Sequence, residues 1–226
     1  GGVSTGRFAS LNLAQHVGDD RAAVAHNRRL LRSWLGLEAE PLWLDQVHGT
    51  RVVEAAGGPA GPAVAPAADA SFTRAPGRAC VVMTADCLPV LFCNRAGTCV
   101  AAAHAGWRGL AQGILDSTLA ALGEPAESLI AWLGPAIEQE AFEVGPEVRE
   151  RFLARDPLHA GAFRANPRGR WQADLYALAR RELVRAGVRA IHGGGFATYG
   201  DRARFFSYRR DGQTGRMAAL VWLAFE

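Results

Sequence analysis

The chain has 226 residues, 49% hydrophobic and 21% charged, which is ordinary for a water-soluble globular protein and enough for one substantial core. Its formal net charge is +3, yet it contains no lysine: every basic residue is an arginine, spread between acids along the chain. Without a basic block or aromatic–basic stripe, nucleic acid is not the expected partner; without an apolar run of bilayer length or a charged-then-apolar leader, neither is a membrane, and a cytoplasmic location is expected.

The first 13 residues are rich in Gly and Ser, with Asn12 between two leucines. Their spacing matches neither a Walker nor a Rossmann loop, so a loop is expected, although backbone N–H groups there can cradle an anion. Asp19-Asp20 caps a predicted helix running to about residue 35, with Val24, Leu31 and Leu35 on one face and Gly36 as its stop. Residues 41–48 and 51–55 read as strands around the Gly49-Thr50 turn, with His48 at the turn. The Ala/Gly/Pro-rich stretch 56–68 reads as an exposed loop.

Three apolar runs follow, at residues 79–84, 88–93 and 98–103, and suit strands buried on both faces. A hairpin turn at 94–97 joins the last two. Residues 107–122 carry a helical pattern, so His104 sits where a strand turns into a helix, with free N–H groups beside it. Strands are also predicted at 129–133 and 188–192, helices at 146–154 and 173–186, and a polar loop between those helices. Residues 204–225 read as two strands joined by the Asp211-Gly212 turn. No internal repeat or second domain boundary is visible.

The cysteines are Cys80, Cys87, Cys93 and Cys99. None forms a C-x-x-C pair, which argues against a zinc knuckle, and reduced thiols are expected. Cys87, next to Asp86, and His104 each end an apolar run. With His48 they would complete an open three-ligand metal site, whose donors suit zinc or, alternatively, copper. Asp86 would orient a ligand or act as a base, Arg108 would bind an anionic oxygen, and Trp107 would stack on a flat substrate. Arg209, in the FFSYRR stretch, could reach phosphate. Two readings compete with the metal site: Cys87 as nucleophile with His104 as its base, and a binding module in which these residues only pack.

Taken in order, GGVSTGRFASLNL, LDQVHGTRV, TADCLPVLF, AAHAGWRGL, GPAI…FEVG and FFSYRRDGQTGRMAA resemble the YfiH family over nearly the whole chain. The family is also called multicopper polyphenol oxidase or laccase-like, and has a human relative, FAMIN. The resemblance implies one α/β (α+β) domain over residues 1–226, with a large mixed sheet flanked by helices, in the YfiH-like cysteine-hydrolase fold class. It implies a zinc site on His48, Cys87 and His104. It also implies purine nucleoside phosphorylase activity on adenosine, inosine or guanosine, with adenosine deaminase and methylthioadenosine phosphorylase activities beside it. A copper-dependent phenol oxidase activity and a peptidoglycan-editing role attach to relatives. Residue chemistry makes Ser4, Asn12, Arg108 and Arg209 the expected phosphate and nucleoside contacts, and Asp86 and Glu143 the candidate general bases. One departure is Ala197-Thr198-Tyr199, where many relatives have Cys-Thr-Tyr; its missing thiol weighs against the oxidase.

Overall fold

The apolar runs at the centre of the chain form strands, and their alternating side chains set the layering. The structure, a computed structural model, describes residues 1–56 and 64–225. In chain order the elements begin with α1 (Arg21–Trp34), β1 (Val52–Glu54), β2 (Ala70–Thr73), β3 (Ala79–Thr84), β4 (Leu88–Asn94), β5 (Val100–Ala105), α2 (Trp107–Gln112) and α3 (Ile114–Leu122). They continue with β6 (Leu129–Leu133), β7 (Glu143–Val144), α4 (Pro146–Arg155), β8 (Phe163–Ala165), β9 (Trp171–Ala173), α5 (Leu175–Arg185), β10 (Ala190–Gly193), α6 (Tyr208–Asp211) and β11 (Met217–Trp222).

Six strands form a mixed sheet in the order β1-β2-β5-β4-β6-β10. Its outer pairings are parallel and its three inner ones antiparallel. On β5, Ala101, Ala103 and Ala105 join the main core with Leu110, Ile114 and Leu115 of α2 and α3. Ala102 points the other way, into a second cluster with Cys80 and Val82 of β3. The period-two alternation of a strand therefore puts helices on one face of the sheet and the antiparallel pair β3–β11 on the other. The N-terminal segment covers that pair in turn, packing Leu13, Ala14 and Val17 on Val81 and Met83. His104 has the parity of Ala102, so it faces the β3 side, at the end of β5.

Several boundaries differ from the sequence expectation. Residues 41–48 make two isolated bridges, Leu42 to Cys80 and Asp45 to Ala67, in place of a strand. The helix expected over 107–122 is broken at Gly113, whose φ of 98° ends α2 and starts α3. Between α4 and α5 the polar segment forms the β8–β9 hairpin, turned by Asn166, whose Oδ1 accepts from the N–H groups of Arg168 and Arg170. The C-terminal hairpin is replaced by α6, capped where Ser207 accepts from the Arg210 N–H, followed by the single strand β11. Of the expected loop 56–68, residues 57–63 lie outside the described residues. β2, which supplies the inner neighbour of β5, had no counterpart in the sequence reading.

The cap of α1 is as expected: Asp20 accepts from the Ala23 N–H at 2.7 Å. Asp20→Ala should cost about 1 kcal/mol and lower the melting midpoint by about 2–4 °C for a chain of this size. Thermal denaturation followed by circular dichroism checks this, and an unchanged midpoint removes the cap from the account.

Candidate metal centre

The centre is built on a residue outside the donor cluster, Asp69, just ahead of β2. Its side chain is fully buried. Oδ1 accepts from the His48 N–H at 2.9 Å, and Oδ2 accepts from Val47 at 3.2 Å and Gly49 at 2.6 Å. Three successive N–H groups converge on one carboxylate, and His48 is held at φ 61°, a region that favours glycine. The His104 imidazole donates from Nδ1 to Asp69 Oδ1 at 2.8 Å, and its backbone N–H donates to the Asp69 carbonyl at 2.7 Å. Burial opposes ionisation of Asp69, but the hydrogen bonds from His104 and Gly49 prevail and hold its carboxyl below the usual range.

A carboxylate only accepts, so Nδ1 of His104 carries a proton and Nε2 is the nitrogen left to meet a metal. His48 Nε2 lies 3.8 Å from Cys87 Sγ, and the two imidazole rings are 4.8 Å apart, edge to face. One donor atom from each of His48, Cys87 and His104 falls within 4.8 Å of the others. Burial alone would push the Cys87 thiol up; the charge and hydrogen bond of His104, with His48 adding, bring it down to about 6. Conversely, burial works against a charged His104, but the Cys87 thiolate and then Asp69 raise it to about 9. Two imidazoles and an acidified thiol in one cluster fit a soft-to-borderline divalent metal such as zinc.

The glycines of the HAGWRG stretch follow from this packing. A Cβ on Gly106 would lie 2.9 Å from His48 Cδ2 and 3.0 Å from Cys87 Sγ, and one on Gly109 2.9 Å from the Gly49 carbonyl. The segment can close over the His48 turn only where both positions lack a side chain.

Asp86, at φ 95°, aims Cys87 from the end of β3. Its Oδ1 accepts from Thr198 Oγ at 2.7 Å, and its Oδ2 from the Arg209 N–H at 2.6 Å. The donor set opens into a cavity of about 590 Å³, whose wall includes Trp107, Arg108, Phe142, Tyr208, Arg209 and Arg216. Arg108 stacks over Trp107. Arg209 lies over Phe142 and donates to the carbonyls of Ala141 and Glu143. Ser4 and Asn12 are buried away from this wall: both hydrogen-bond Asp19 Oδ2, and Asn12 Oδ1 accepts from the Arg216 backbone N–H at 2.9 Å. The Glu143 carboxylate is outside the cavity wall too, engaged by Asn166 and Arg168.

Sequence reasoning therefore assembled the three donors but missed Asp69, Tyr208 and Arg216. Asp69 carried one signal, a lone carboxylate among small apolar residues (AADAS), where burial demands a partner.

A mixed α/β fold with an arginine-walled cavity and a His-Cys-His cluster able to hold a metal defines an enzyme class. The chain belongs to the multi-copper polyphenol oxidoreductase laccase family, whose model matches residues 1–224. It is 57% identical over 225 residues to a purine nucleoside phosphorylase of Pseudomonas aeruginosa, covering 99% of this chain and 90% of that one. It is 51% identical over 223 residues to purine nucleoside phosphorylase YfiH of Escherichia coli, with the same coverage. Among solved structures, a Neisseria meningitidis protein superposes with a TM-score of 0.94 at 52% identity, covering 100% of this chain and 91% of that one. YlmD of Geobacillus stearothermophilus superposes with a TM-score of 0.93 at 32% identity, covering 100% and 89%.

Asp69→Asn replaces an acceptor-only group with one that presents N–H to other N–H groups. Zinc affinity should fall by about 10–100-fold, as read by competition with a chromogenic chelator; unaltered affinity would remove Asp69 from the site. In the metal-free protein, alkylation of Cys87 should reach half its limiting rate near pH 6, since thiolate accumulates as pH rises through the lowered value. A midpoint near the ordinary cysteine value of 9.0 would contradict the pairing with His104.

Proposed function

We propose that the chain is a zinc-dependent purine nucleoside phosphorylase, converting adenosine, inosine or guanosine and phosphate to the free base and ribose 1-phosphate. The observation that carries this reading is the composition of one cavity wall: the His48, Cys87 and His104 donors beside aromatic rings and three guanidinium groups. Relatives at 57% and 51% identity bear the phosphorylase name.

In the reaction a phosphate oxygen bonds to C1′ of the ribose as the bond from C1′ to the purine nitrogen breaks. The departing base takes the bonding pair and gains the proton that hydrogen phosphate loses. Trp107 and Tyr208 offer π faces to the flat base. Arg108 and Arg209 place positive charge where phosphate approaches, which holds the anionic nucleophile in position beside C1′. Asp86, with both oxygens already engaged, holds Thr198 and the start of α6 against the cavity, and is the candidate base in the wall.

His48, Cys87 and His104 would hold the metal, which when bound supplies Lewis acidity toward substrate oxygen or water. The same chemistry supports adenosine deamination, in which water replaces the 6-amino group and ammonia leaves, and methylthioadenosine phosphorolysis as side activities. Copper and phenol oxidation form the second reading, favoured by the family's name and disfavoured by Ala197, where the family resemblance leads one to expect a thiol.

Incubation of the purified protein with inosine should release hypoxanthine and ribose 1-phosphate only when phosphate is present, with about one zinc per chain, as a three-ligand site requires. Hypoxanthine and free ribose formed without phosphate would make the enzyme a hydrolase. Phenol oxidation on copper loading, with no nucleoside turnover, would support the second reading instead.

A further inference from the structure

Many arginines of this chain meet acids. Those that brace the helical layer are matched with acids: Arg155 and Arg185 meet Asp116 and Glu182, and Arg181 meets Asp156. The three in the cavity wall are different. Among the described residues, Arg108, Arg209 and Arg216 have no carboxylate within ion-pair distance. The wall's only acid, Asp86, has both oxygens occupied. An excess of positive charge is thus built into the cavity.

Arg216 is the most constrained of the three. Its Nη1 donates to the carbonyls of Thr214 at 2.9 Å and Gly215 at 3.0 Å, and its guanidinium lies 5.8 Å from the Tyr208 ring centre. Those bonds leave Nε and Nη2 without a protein partner among the described residues. Partial burial pushes this guanidinium below the usual arginine range, outweighing the opposing pull of Cys87 and Asp86. A cation held this way is a desolvation penalty unless an anion completes it.

The main chain carrying Arg216 is fixed from the other end of the sequence. Asn12 accepts from the Arg216 N–H, the Leu13 N–H donates to the Arg216 carbonyl at 3.3 Å, and Thr214 Oγ donates to the Arg7 carbonyl at 3.2 Å. Ser4 and Asp19 lock Asn12 in place. The N-terminal GGVSTGRFASLNL stretch and the TGR of the C-terminal motif thereby form one unit whose exposed product is the Arg216 fork.

We propose that Arg216 is the primary anchor of the phosphate co-substrate, binding two of its oxygens through Nε and Nη2, and that Asn12 is a positioning residue acting through it. This rests on the phosphorylase reading and specifies its anion subsite. Arg108 and Arg209 are exposed whereas Arg216 is half-buried, so the first two contribute charge to the cavity without fixing the anion's orientation. A fork of two parallel donors suits a tetrahedral oxyanion better than a point charge does.

The test is calorimetric titration of the zinc-loaded full chain with inorganic phosphate, alongside steady-state phosphorolysis of inosine. Arg216→Gln should weaken phosphate binding and raise KM for phosphate by about 10–100-fold, the range for a lost charge-assisted contact, with KM for inosine and zinc content unchanged. Arg216→Lys, which keeps the charge and loses the fork, should recover part of the binding. Asn12→Ala should raise KM for phosphate less than Arg216→Gln does, again sparing KM for inosine. Wild-type phosphate binding in Arg216→Gln, or equal rises in KM for phosphate and inosine, would overturn the assignment. Should Arg216→Gln fail to fold, full phosphate affinity in Arg216→Lys overturns the fork. Phosphate bound by wild type and lost in Arg216→Gln, but with no phosphorolysis in either, upholds the anion site while removing the phosphorylase reading.

Discussion

One buried carboxylate, Asp69, accepts from the backbone N–H groups of Val47, His48 and Gly49 and from the His104 imidazole. Each of those bonds constrains a different part of the centre. The three backbone bonds hold His48 in a conformation that only a network of this kind makes affordable to a non-glycine residue. The fourth fixes the His104 tautomer. Two candidate ligands separated by more than fifty positions thus share a single electrostatic reference point, which belongs to neither of their segments. Because burial destabilises the carboxylate, its donors cannot be removed one at a time without exposing an unmet charge in the interior.

The location of this point in the fold explains why the site faces where it does. β5 is central in the six-stranded sheet, and its alternation sends Ala101, Ala103 and Ala105 to the helices and Ala102 and His104 to the β3–β11 side. Alanines let that second layer approach closely, and the ends of β3 and β5 bring Cys87 and His104 together. Gly106 and Gly109 then allow the start of α2 to close over the His48 turn. The helical layer supplies the rigid backing, with the buried Glu182 meeting Arg155 and Arg185, and adds no ligand.

The remaining wall of the cavity comes from the two ends of the chain. Ser4, Asn12 and Asp19 form a polar knot that seats the segment ahead of β11, and Asp86 ties α6 to the turn bearing Cys87. Residue chemistry had suggested Ser4 and Asn12 as substrate contacts. Their polar atoms instead meet protein partners, and the nearest group to the cavity they govern is Arg216. A polar residue in a glycine-rich segment looks the same in the sequence whether it meets a ligand or another loop. Only the position of Asp19, Asn27 and Arg216 around it separates those cases.

Local chemistry made much of the molecule readable. The uninterrupted apolar runs gave β3, β4 and β5, the Asp20 cap gave the start of α1, and the thiol and imidazoles at strand ends offered Cys87, His104 and His48 as one of several readings, which the family resemblance favoured. Those features depend on periodicity and on intrinsic ligand character, which a linear sequence records. What tertiary structure decided was everything set by contacts between distant segments. The 41–48 stretch lost its strand because its neighbours offer only two bridges. The 107–122 helix broke because Gly113 takes a left-handed conformation between α2 and α3, and the final hairpin gave way to α6 because Ser207 caps it. Asp69 could be recognised as the keystone only once Val47, His48, Gly49 and His104 surrounded it, since a buried charge is defined by what donates to it, and those donors lie on other parts of the chain.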